Sequence, residues 1–349
     1  MMAPGSISAH RRVILTASII PVVSSPPMPS SPGRELRGPA ISEPGSGSET
    51  ASSGIRSSFQ RQPSRMGQRL KMRSSLKGLL STAEPLPSAS TRRFYRTKEG
   101  IVLLGTRSQI SEYLRYHRLL SDLDLPQIIE SHDRYLLIED LGPDRLDSLE
   151  HPPYELVIDE LIRWQEATER KRAGLPTFNY THLIWEQNYF FQYVLIRYLK
   201  KEPTPRLKSD LEKLAQAIDR LPKVLMHRDF QSRNIFIKDG RVRIIDFQNA
   251  MIGPVSYDLA SLLFDPYHPI GMEQIQELLK YYNQNSPWSI SPPDLFKTGI
   301  QRLLQATGAY VFLTLIRGLD YSEYLKIGLE MIRRLEKEIG IDILCGTKS

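Results

Sequence analysis

One short segment, residues 224–250, places two acids and an amide close together among strand-forming residues. Asp229, Asn234 and Asp246 carry side-chain oxygens, and Lys238-Asp239-Gly240 lies between two β-prone runs. A Lys-Asp-Gly sequence in that position predicts a β-hairpin. Pairing the runs about this turn brings Asn234 and Asp246 to the same open end, with Asp229 in the loop that enters it. The three oxygen-bearing side chains are therefore expected to converge.

Such a group of oxygens is suited to a hard metal ion and a phosphate. Mg²⁺ is usually held by one or two carboxylates or amides, and water and substrate phosphates complete its shell. Asn234 and Asp246 fit that pair, which leaves Asp229 to face an attacking hydroxyl. In phosphoryl transfer one carboxylate orients or deprotonates the hydroxyl while other groups position the phosphates and neutralise charge. The segment therefore predicts a metal–nucleotide and a nucleophile held in line.

The elements that must position these residues fall into a strand-rich part and a helical part. Strands are expected at 94–96, 101–104 and 134–139, with a helix over 108–120 that begins at Ser108 as N-cap. The order predicts an α+β fold of two lobes, a small antiparallel sheet followed by a mainly helical lobe. Helices are expected from Tyr154 onward at 154–172, 180–200, 205–221, 256–264, 272–283, 293–317 and 321–339.

The charge of the 349-residue chain is concentrated in its N-terminal tail. The formal net charge is +7, and residues 1–90 hold 11 Lys/Arg against 4 Asp/Glu, so the remainder is neutral. A Ser/Pro-rich tail over 1–66 is expected to be disordered, because it has too little apolar surface to offset its ordering entropy. A nucleic-acid binder usually concentrates basic residues on a folded face. No nucleic-acid partner is therefore expected. The alternative hypothesis, that the protein binds nucleic acid, rests on the basic tail alone.

The sequence of this tail is compatible with more than one origin. Residues 11–23 resemble the core of a signal peptide but are too short to span a bilayer, and the Arg/Ser-rich composition also resembles an organellar transit peptide. An upstream-extended start, with Met66 or Met72 as initiator, is the favoured interpretation. With one cysteine, Cys345, the chain forms no internal disulfide, which favours a reducing compartment. We expect a cytoplasmic protein without a membrane partner.

The acidic segment also matches a known sequence pattern. His227-Arg228-Asp229 followed by Asn234 fits the H-x-D-x-x-x-x-N loop of kinase-like folds, and Asp246-Phe247-Gln248 stands where protein kinases have Asp-Phe-Gly. The strings HRDFQSRNIFI and IIDFQNAMIGPVSYDLASLL resemble the aminoglycoside/choline phosphotransferase superfamily. The nearest branch is the bacterial anomeric sugar kinases that act on N-acetylmuramate and N-acetylglucosamine. The resemblance covers roughly residues 70–339.

This resemblance implies a protein-kinase-like fold and a division of labour among the residues. The N-lobe with its nucleotide-binding hairpin and hinge would occupy 67–142, and the C-lobe 143–349. Asp229 would be the catalytic base, Asn234 and Asp246 would bind Mg²⁺, and His227 and Asp258 would brace the catalytic loop. ATP would contact Ser90, Thr91, Arg92, Glu112, Glu139 and Leu141.

One departure from the kinase pattern concerns the third strand. That strand usually carries a lysine that contacts the α/β-phosphates and pairs with a helix glutamate, yet IVLLGTR contains none. Arg92, Arg93 or Arg107 could supply the charge, whereas Lys98 lies in the preceding turn. The missing lysine also keeps open a pseudokinase-like nucleotide-binding protein, which the intact Asp229, Asn234 and Asp246 oppose.

The acceptor follows from the resemblance and from residue chemistry. An anomeric hydroxyl of an amino sugar is expected, with an aminoglycoside or a choline-like alcohol as the alternatives. Trp185 could stack on a sugar face and Glu186 could bind its hydroxyls, although an aromatic stripe more often packs in a core. Asp265 could line the acceptor pocket. The protein is expected to be a monomer.

Overall fold

The computed structural model describes residues 76–88, 91–344 and 347–348. The expected tail, the candidate start methionines, Ser90 and Cys345 lie outside these residues. Residues 76–80 are helical, and the described residues from Leu79 onward belong to one compact unit.

The N-terminal lobe is a five-stranded antiparallel sheet in the order β1-β2-β3-β5-β4. The two strands predicted at 94–96 and 101–104 form its central hairpin, with Arg96 opposite Ile101. Gly100 has a φ of 145°, and a Cβ there would lie 2.4 Å from the Ile138 carbonyl oxygen, so the close approach of β5 requires glycine. The strands are β1 Glu84–Leu86, β2 Arg93–Arg96, β3 Ile101–Leu104, β4 Ile128–Ser131 and β5 Tyr135–Ile138.

Helix α1, Arg107–Leu119, crosses this lobe and begins one residue earlier than predicted. Its N-cap is Thr106 and not Ser108. The Thr106 hydroxyl accepts a bond from the Gln109 backbone N–H at 3.3 Å, and the Gln109 side chain accepts from the Thr106 N–H at 2.9 Å. This reciprocal capping box satisfies two N-terminal donors, which Ser108 could not do from inside the first turn. The residues that α1 buries are Ile110, Tyr113 and Tyr116.

The C-terminal lobe is built around one long helix, α8, which packs against α4, α6 and α9. The helix predicted to run unbroken over 180–200 instead changes its winding, since Phe191–Tyr198 forms a π-helix after α4. The helices are α2 Tyr154–Glu166, α3 Thr168–Lys171, α4 Tyr180–Phe190, α5 Pro205–Asp219, α6 Tyr257–Leu263, α7 Met272–Asn285, α8 Pro292–Arg317 and α9 Ser322–Ile339. Short 3₁₀ turns occupy Leu146–Ser148, Arg172–Gly174, Ser232–Asn234 and Phe247–Asn249.

Three two-stranded ladders complete the helical lobe. The predicted polar hairpin is formed by β8 and β9. The strand that precedes this hairpin in the sequence, β7, pairs with the strand that follows it, β10. The strands are β6 Glu202–Pro203, β7 Lys223–Met226, β8 Ile235–Lys238, β9 Arg241–Ile244, β10 Met251–Pro254 and β11 Thr347–Lys348. Within the described ranges, no helix combines the length and apolar character needed to cross a bilayer. A small antiparallel sheet followed by a helical lobe is the predicted architecture.

Candidate active site

The β8–β9 hairpin brings Asn234 and Asp246 together as its sequence predicts. Ile235 pairs with Ile244, and the Ile245 backbone N–H donates to the Asn234 carbonyl at 3.0 Å. Asp246 follows directly with φ 66° and ψ 29°, a left-handed conformation that turns the chain sharply at the end of the strand. Both side chains therefore lie at the open end of the hairpin.

The loop that carries Asp229 is held by hydrogen bonds to Asp258, at the start of α6. The Asp258 carboxylate accepts backbone N–H bonds from His227 at 2.5 Å and Arg228 at 2.9 Å. These are the bracing contacts that the family resemblance implies, and they fix a backbone in which Arg228 has a φ of 76°. Ser256 makes no side-chain cap bond at this helix, and its hydroxyl pairs with that of Thr298 at 2.7 Å.

His227 ties the same loop to the end of the hairpin. Its Nε2–H donates to the Ile245 carbonyl at 2.9 Å, and its Nδ1 accepts the Asp229 backbone N–H at 3.3 Å. Burial lowers the pKa of His227 to about 4, so the neutral imidazole is the form that makes both bonds. His227 therefore links the segment of Asp229 to the segment of Asp246.

Asp229 lies between Asn234 and an arginine that the sequence did not single out. Asn234 Nδ2 donates to the Asp229 Oδ2 at 3.1 Å and to its backbone carbonyl at 2.9 Å. On the other side Arg302 Nη2 lies 3.5 Å from Asp229 Oδ1. Burial raises the pKa of Asp229 to about 7 against the opposing charge of Arg302, and the nearby Asp246 adds to the rise. This carboxyl group is thus poised to exchange a proton near neutral pH.

The residues expected to hold a metal have oxygens available for one. Asn234 Oδ1 is buried without a hydrogen-bond partner, and so is Gln248 Oε1, whereas buried acceptors are normally satisfied. The Gln248 amide donates to Asp246 Oδ1, and burial raises the pKa of Asp246 despite the charge of Arg92. No cluster of three or more His, Cys, Asp or Glu side chains suited to a metal occurs in the described ranges. A carboxylate and an amide oxygen instead fit an Mg²⁺ ion whose shell is completed by phosphate.

A partly open cleft leads from Asp246 to the hinge that follows β5. Its walls come from both lobes and are mainly apolar, while Arg92, Asp246 and Gln248 line the hairpin end. This combination suits a flat apolar ring at the hinge and phosphates at the polar end. The apolar lining residues are Leu86, Phe94, Ile101, Leu103, Ile138, Leu141, Phe236 and Ile245.

The hinge itself is held by ion pairs to the hairpin. Lys238 on β8 donates to a Glu139 carboxylate oxygen at 2.7 Å and to the Asp140 carbonyl at 2.8 Å. Burial alone would raise the pKa of Glu139, but Lys238 and Arg243 lower it overall. Glu139 and Leu141 line the cleft as expected for a nucleotide-binding hinge, and the Glu139 side chain is used to bind the hairpin.

Of the other residues that were expected to contact ATP, one lines the cleft and two are exposed. Arg92 lines the cleft, and Thr91 is exposed and accepts a hydrogen bond from Gln109. The structure does not bring Glu112 to the cleft, because that side chain is exposed on α1 while the next residue, Tyr113, is buried and lines the cleft. One residue along a helix rotates the side chain by about 100°, so the two neighbours face different surroundings.

Among the arginines that could replace the strand lysine, Arg92 is the one at the cleft. Its Nη2 lies 2.9 Å from Asp246 Oδ1, and it is 9% exposed. Arg93 is exposed, and Arg107 is largely exposed and pairs with Asp133 instead. The positive charge at the polar end of the cleft therefore comes from the residue before β2.

A second, small cavity lies on the Asp229 side. Gln231 and Arg302 both line it and both contact Asp229, since Gln231 Nε2 donates to Asp229 Oδ2 at 3.3 Å. Sequence reasoning missed both residues. The available signal was an arginine within the apolar helix IQRLLQATGAYVF of α8, where a buried charge needs a partner. The remaining lining residues are Ser261, Phe264, Asp265, Pro266, Ala306 and Tyr310.

The three weak substrate candidates lie in different surroundings. Asp265 lines the small cavity, but its carboxylate is used by the backbone N–H and hydroxyl of Ser232, at 2.7 and 2.6 Å. Glu186 is fully buried and accepts a bond from the Tyr257 hydroxyl at 2.6 Å. Trp185 is half-buried and stacks on the next aromatic ring of its helix. Asp265 and Glu186 thus support the site's framework, and Trp185 lines neither of the two cavities.

Glu186 is nevertheless connected to Asp229 through buried polar groups. Tyr257 bonds to Glu186, and Arg302 Nη1 donates to the Tyr257 hydroxyl at 3.3 Å and to the Gln305 side chain at 2.8 Å. Burial raises the pKa of Glu186, while Arg228 and Arg302 oppose the rise. The aromatic helix α4 and the candidate base therefore share one buried network centred on Arg302.

The chain is similar in sequence to proteins of one known family. The model of the phosphotransferase enzyme family (APH) matches residues 82–290, more than half of the chain. Two curated relatives, from Neisseria meningitidis serogroup B and Pseudomonas aeruginosa, are named N-acetylmuramate/N-acetylglucosamine kinase, and each is 26% identical to this chain. The first alignment covers 71% of this chain and 84% of the relative, and the second 67% and 78%.

Solved structures share the fold at lower identity. Choline kinase LicA from Streptococcus pneumoniae superposes with a TM-score of 0.56 at 16% identity, covering 79% of this chain and 99% of that one. The ADP-bound aminoglycoside phosphotransferase APH(2'')-Ib gives 0.51 at 15% identity, covering 76% and 98%. The fold is therefore the two-lobed, kinase-like fold predicted from the sequence. The chain belongs to the phosphotransferase enzyme family and is an enzyme that transfers phosphate to a hydroxyl acceptor.

Proposed function

We propose that this enzyme is an ATP- and Mg²⁺-dependent kinase for an amino sugar of the N-acetylmuramate/N-acetylglucosamine type. The γ-phosphate would pass to the anomeric hydroxyl. The observation that carries the proposal is the position of Asp229, which contacts Asn234 at the open end of the hairpin and contacts Gln231 and Arg302, which line the small cavity. The name shared by the curated relatives supports the choice of acceptor.

In the proposed reaction the nucleotide occupies the large cleft. Its base would lie among the apolar side chains near Leu141, and its phosphates would lie beside Arg92 and Asp246. Asn234 Oδ1 and the Asp246 carboxylate would hold Mg²⁺, which when bound neutralises charge on the transferred and leaving phosphates. Both side chains are buried.

The acceptor would enter from the side of the small cavity. Asp229 would take the proton of the anomeric hydroxyl as that oxygen bonds to the γ-phosphorus. The bond from phosphorus to the β–γ bridging oxygen breaks, and ADP leaves with the electron pair. The guanidinium of Arg302 would keep the carboxylate ionised and oriented during this step.

The charges around the small cavity are nearly balanced, so the acceptor is chosen from the name of the curated relatives. Arg302 lines the cavity and is buried, but its Nη2 lies 3.5 Å from the Asp229 carboxylate, which offsets its charge. Asp265, which also lines the cavity, accepts hydrogen bonds from Ser232. Choline-like and aminoglycoside acceptors therefore serve as the contrasting compounds in the test.

An ATP-dependent reaction also agrees with the expected cytoplasmic location and with action as a monomer on a small molecule.

The test is phosphate transfer from ATP-Mg²⁺ to a panel of N-acetylmuramate, N-acetylglucosamine, other sugars, choline and aminoglycosides. The expected product is an amino-sugar 1-phosphate, recognised by coupling of its phosphorus to the anomeric proton and by its lability in mild acid. Asp229→Asn is the control for enzyme-dependent transfer. Turnover on choline or an aminoglycoside alone would overturn the acceptor, and nucleotide binding without any turnover would favour the pseudokinase-like hypothesis.

A further inference from the structure

The ion pair between Arg92 and Asp246 joins the two lobes at the polar end of the cleft. Arg92 lies just before β2 in the sheet, and Asp246 just after β9 in the helical lobe. Their side chains are 9% and 3% exposed, and the Nη2–Oδ1 distance is 2.9 Å. The guanidinium therefore lies against the carboxylate that is expected to bind metal.

Among the described side chains that line the cleft, only one other is cationic. Arg96 lies toward the hinge, where it makes a two-point contact with the Asp140 carboxylate at 2.7 and 3.1 Å. It is thus engaged away from Asp246. Arg92 is the cation available to the phosphate end of a nucleotide in this cleft.

Two acceptor oxygens at the open end of the hairpin have no hydrogen-bond partner. Asn234 Oδ1 and Gln248 Oε1 are buried and unpartnered, and the Gln248 amide donates to the same Asp246 oxygen that Arg92 contacts. A divalent ion bound to Asp246 and Asn234 would lie close to the guanidinium. Like charges at that distance repel in a buried site, so the ion and Arg92 compete for the carboxylate.

We propose that Arg92 exchanges partners during the catalytic cycle: it neutralises Asp246 before ligand binds and contacts the nucleotide phosphates once Mg²⁺ takes the carboxylate. This rests on the proposed ATP- and Mg²⁺-dependent function. An uncompensated buried carboxylate is costly, and the exchange keeps Asp246 paired in both states. The consequence is that metal alone competes with Arg92, whereas metal and nucleotide enter together because the phosphates accept the displaced guanidinium.

The proposal predicts opposite effects of one substitution on two ligands. In Arg92→Met, Mn²⁺ without nucleotide should bind at least about tenfold more tightly than in the wild type, because its competitor is gone. The Mg²⁺ complex of a non-hydrolysable ATP analogue should bind at least about tenfold more weakly, because a charge-assisted phosphate contact is lost. Arg92→Lys should give intermediate values for both ligands.

The experiment measures free Mn²⁺ by electron paramagnetic resonance and analogue binding by calorimetry, on the full chain. Arg93→Met is the matched control, since Arg93 is the exposed neighbour on β2, and it should change neither affinity. Arg92→Met combined with Asp246→Asn should lose the gain in Mn²⁺ binding, which places that gain at the carboxylate. Circular dichroism of each variant checks that it is folded, and Arg92→Lys supplies the comparison if Arg92→Met is not.

The outcomes separate this proposal from the proposed function. If Arg92→Met weakens the analogue and leaves Mn²⁺ binding unchanged, Arg92 contacts phosphate without guarding the carboxylate, and the exchange is overturned. If both affinities fall, Arg92 only supports the structure, and the exchange is again overturned. If the wild type binds no nucleotide and transfers no phosphate, the proposed function fails, whatever the Mn²⁺ comparison gives.

Discussion

The two carboxylates of the candidate site each face an arginine, but the arginines come from different parts of the fold. Asp246 is paired by Arg92 from the opposite lobe, at the edge of a cleft that is open to solvent. Asp229 is paired by Arg302, which lies on the long helix of the same lobe. The first contact depends on how the lobes are spaced, whereas the second is fixed by the packing of one lobe. The metal side is therefore the adjustable half of the site, and the base side is the rigid half.

The largest effect is expected from neutralising the rigid half. Asp229→Asn should lower kcat by about a thousandfold or more, because the amide cannot accept the hydroxyl proton. Affinity for the Mg²⁺–nucleotide should stay within about threefold, since Asp229 contacts the acceptor side. Steady-state rates and calorimetry measure the two quantities.

The matched variant for that prediction is Asp246→Asn. It should lose metal-dependent nucleotide binding as well as turnover, because it removes a proposed Mg²⁺ ligand. Equal loss of nucleotide affinity in both variants would show that the two carboxylates do not divide the work as their contacts indicate.

The next effect compares the two arginines by stability. Arg302→Met should lower the free energy of unfolding by about 3 kcal/mol, because Asp229 and Glu186 then lose a buried counter-charge. Arg92→Met should cost less, about 2 kcal/mol, because only Asp246 then loses its counter-charge and the Gln248 amide still donates to it. Urea unfolding of the two variants measures the difference, and a larger cost for Arg92→Met would contradict the assignment of rigid and adjustable halves.

A smaller effect depends on pH and concerns the histidine that links the halves. The unfolded chain protonates His227 near its ordinary pKa of 6.5, but the folded protein does so only near 4, so stability from neutral His227 is lost as pH falls through that window. His227→Gln keeps a donor for the Ile245 carbonyl and does not titrate. The stability advantage of the wild type should shrink by about 2 kcal/mol between about pH 7 and pH 5.

That prediction is checked by urea unfolding of both proteins at several pH values. Because only the difference between them is compared, the titration of Asp229 and Asp258 largely cancels. A constant difference across the window would mean that His227 is protonated in the fold, against the bonds that its two nitrogens make.

The smallest effect is expected at the hinge, where a second ion pair reaches the hairpin. Lys238→Met removes the ion pair with Glu139. Because both side chains of this pair are partly exposed, the free energy of unfolding should fall by less than about 1 kcal/mol. The KM for ATP should rise by less than about tenfold, with kcat unchanged, because the nucleotide is held less firmly. Steady-state kinetics with varied ATP tests this, and a large fall in kcat would place the hinge within the chemistry.

Local patterns were enough to predict the hairpin and its three oxygen-bearing residues. The turn at Asp239-Gly240 and the β-prone runs on either side determine which residues meet at the open end, and the observed register agrees. The helices of the second lobe were likewise found from their apolar spacing, with ends wrong by a few residues. These features could be predicted because the residues that determine them are close together in the sequence.

The features missed from sequence depend on distant contacts or on helix phase. Arg302 lies 73 positions after Asp229, and only the packing of α8 against the catalytic loop brings them together. Tyr113, not Glu112, faces the cleft because Thr106 starts the helix. The π-helical turn after Phe190 arises where α4 packs on α8, and no periodicity in the sequence predicts it.

The left-handed backbone of two site residues has a consequence for how this sequence can drift. Arg228 and Asp246 adopt φ of 76° and 66°, a conformation that costs a non-glycine residue about 1 kcal/mol. Aspartate tolerates it better than arginine does. Sequence drift to glycine or asparagine at position 228 would therefore relieve this strain and leave the three oxygen-bearing residues of the site in place.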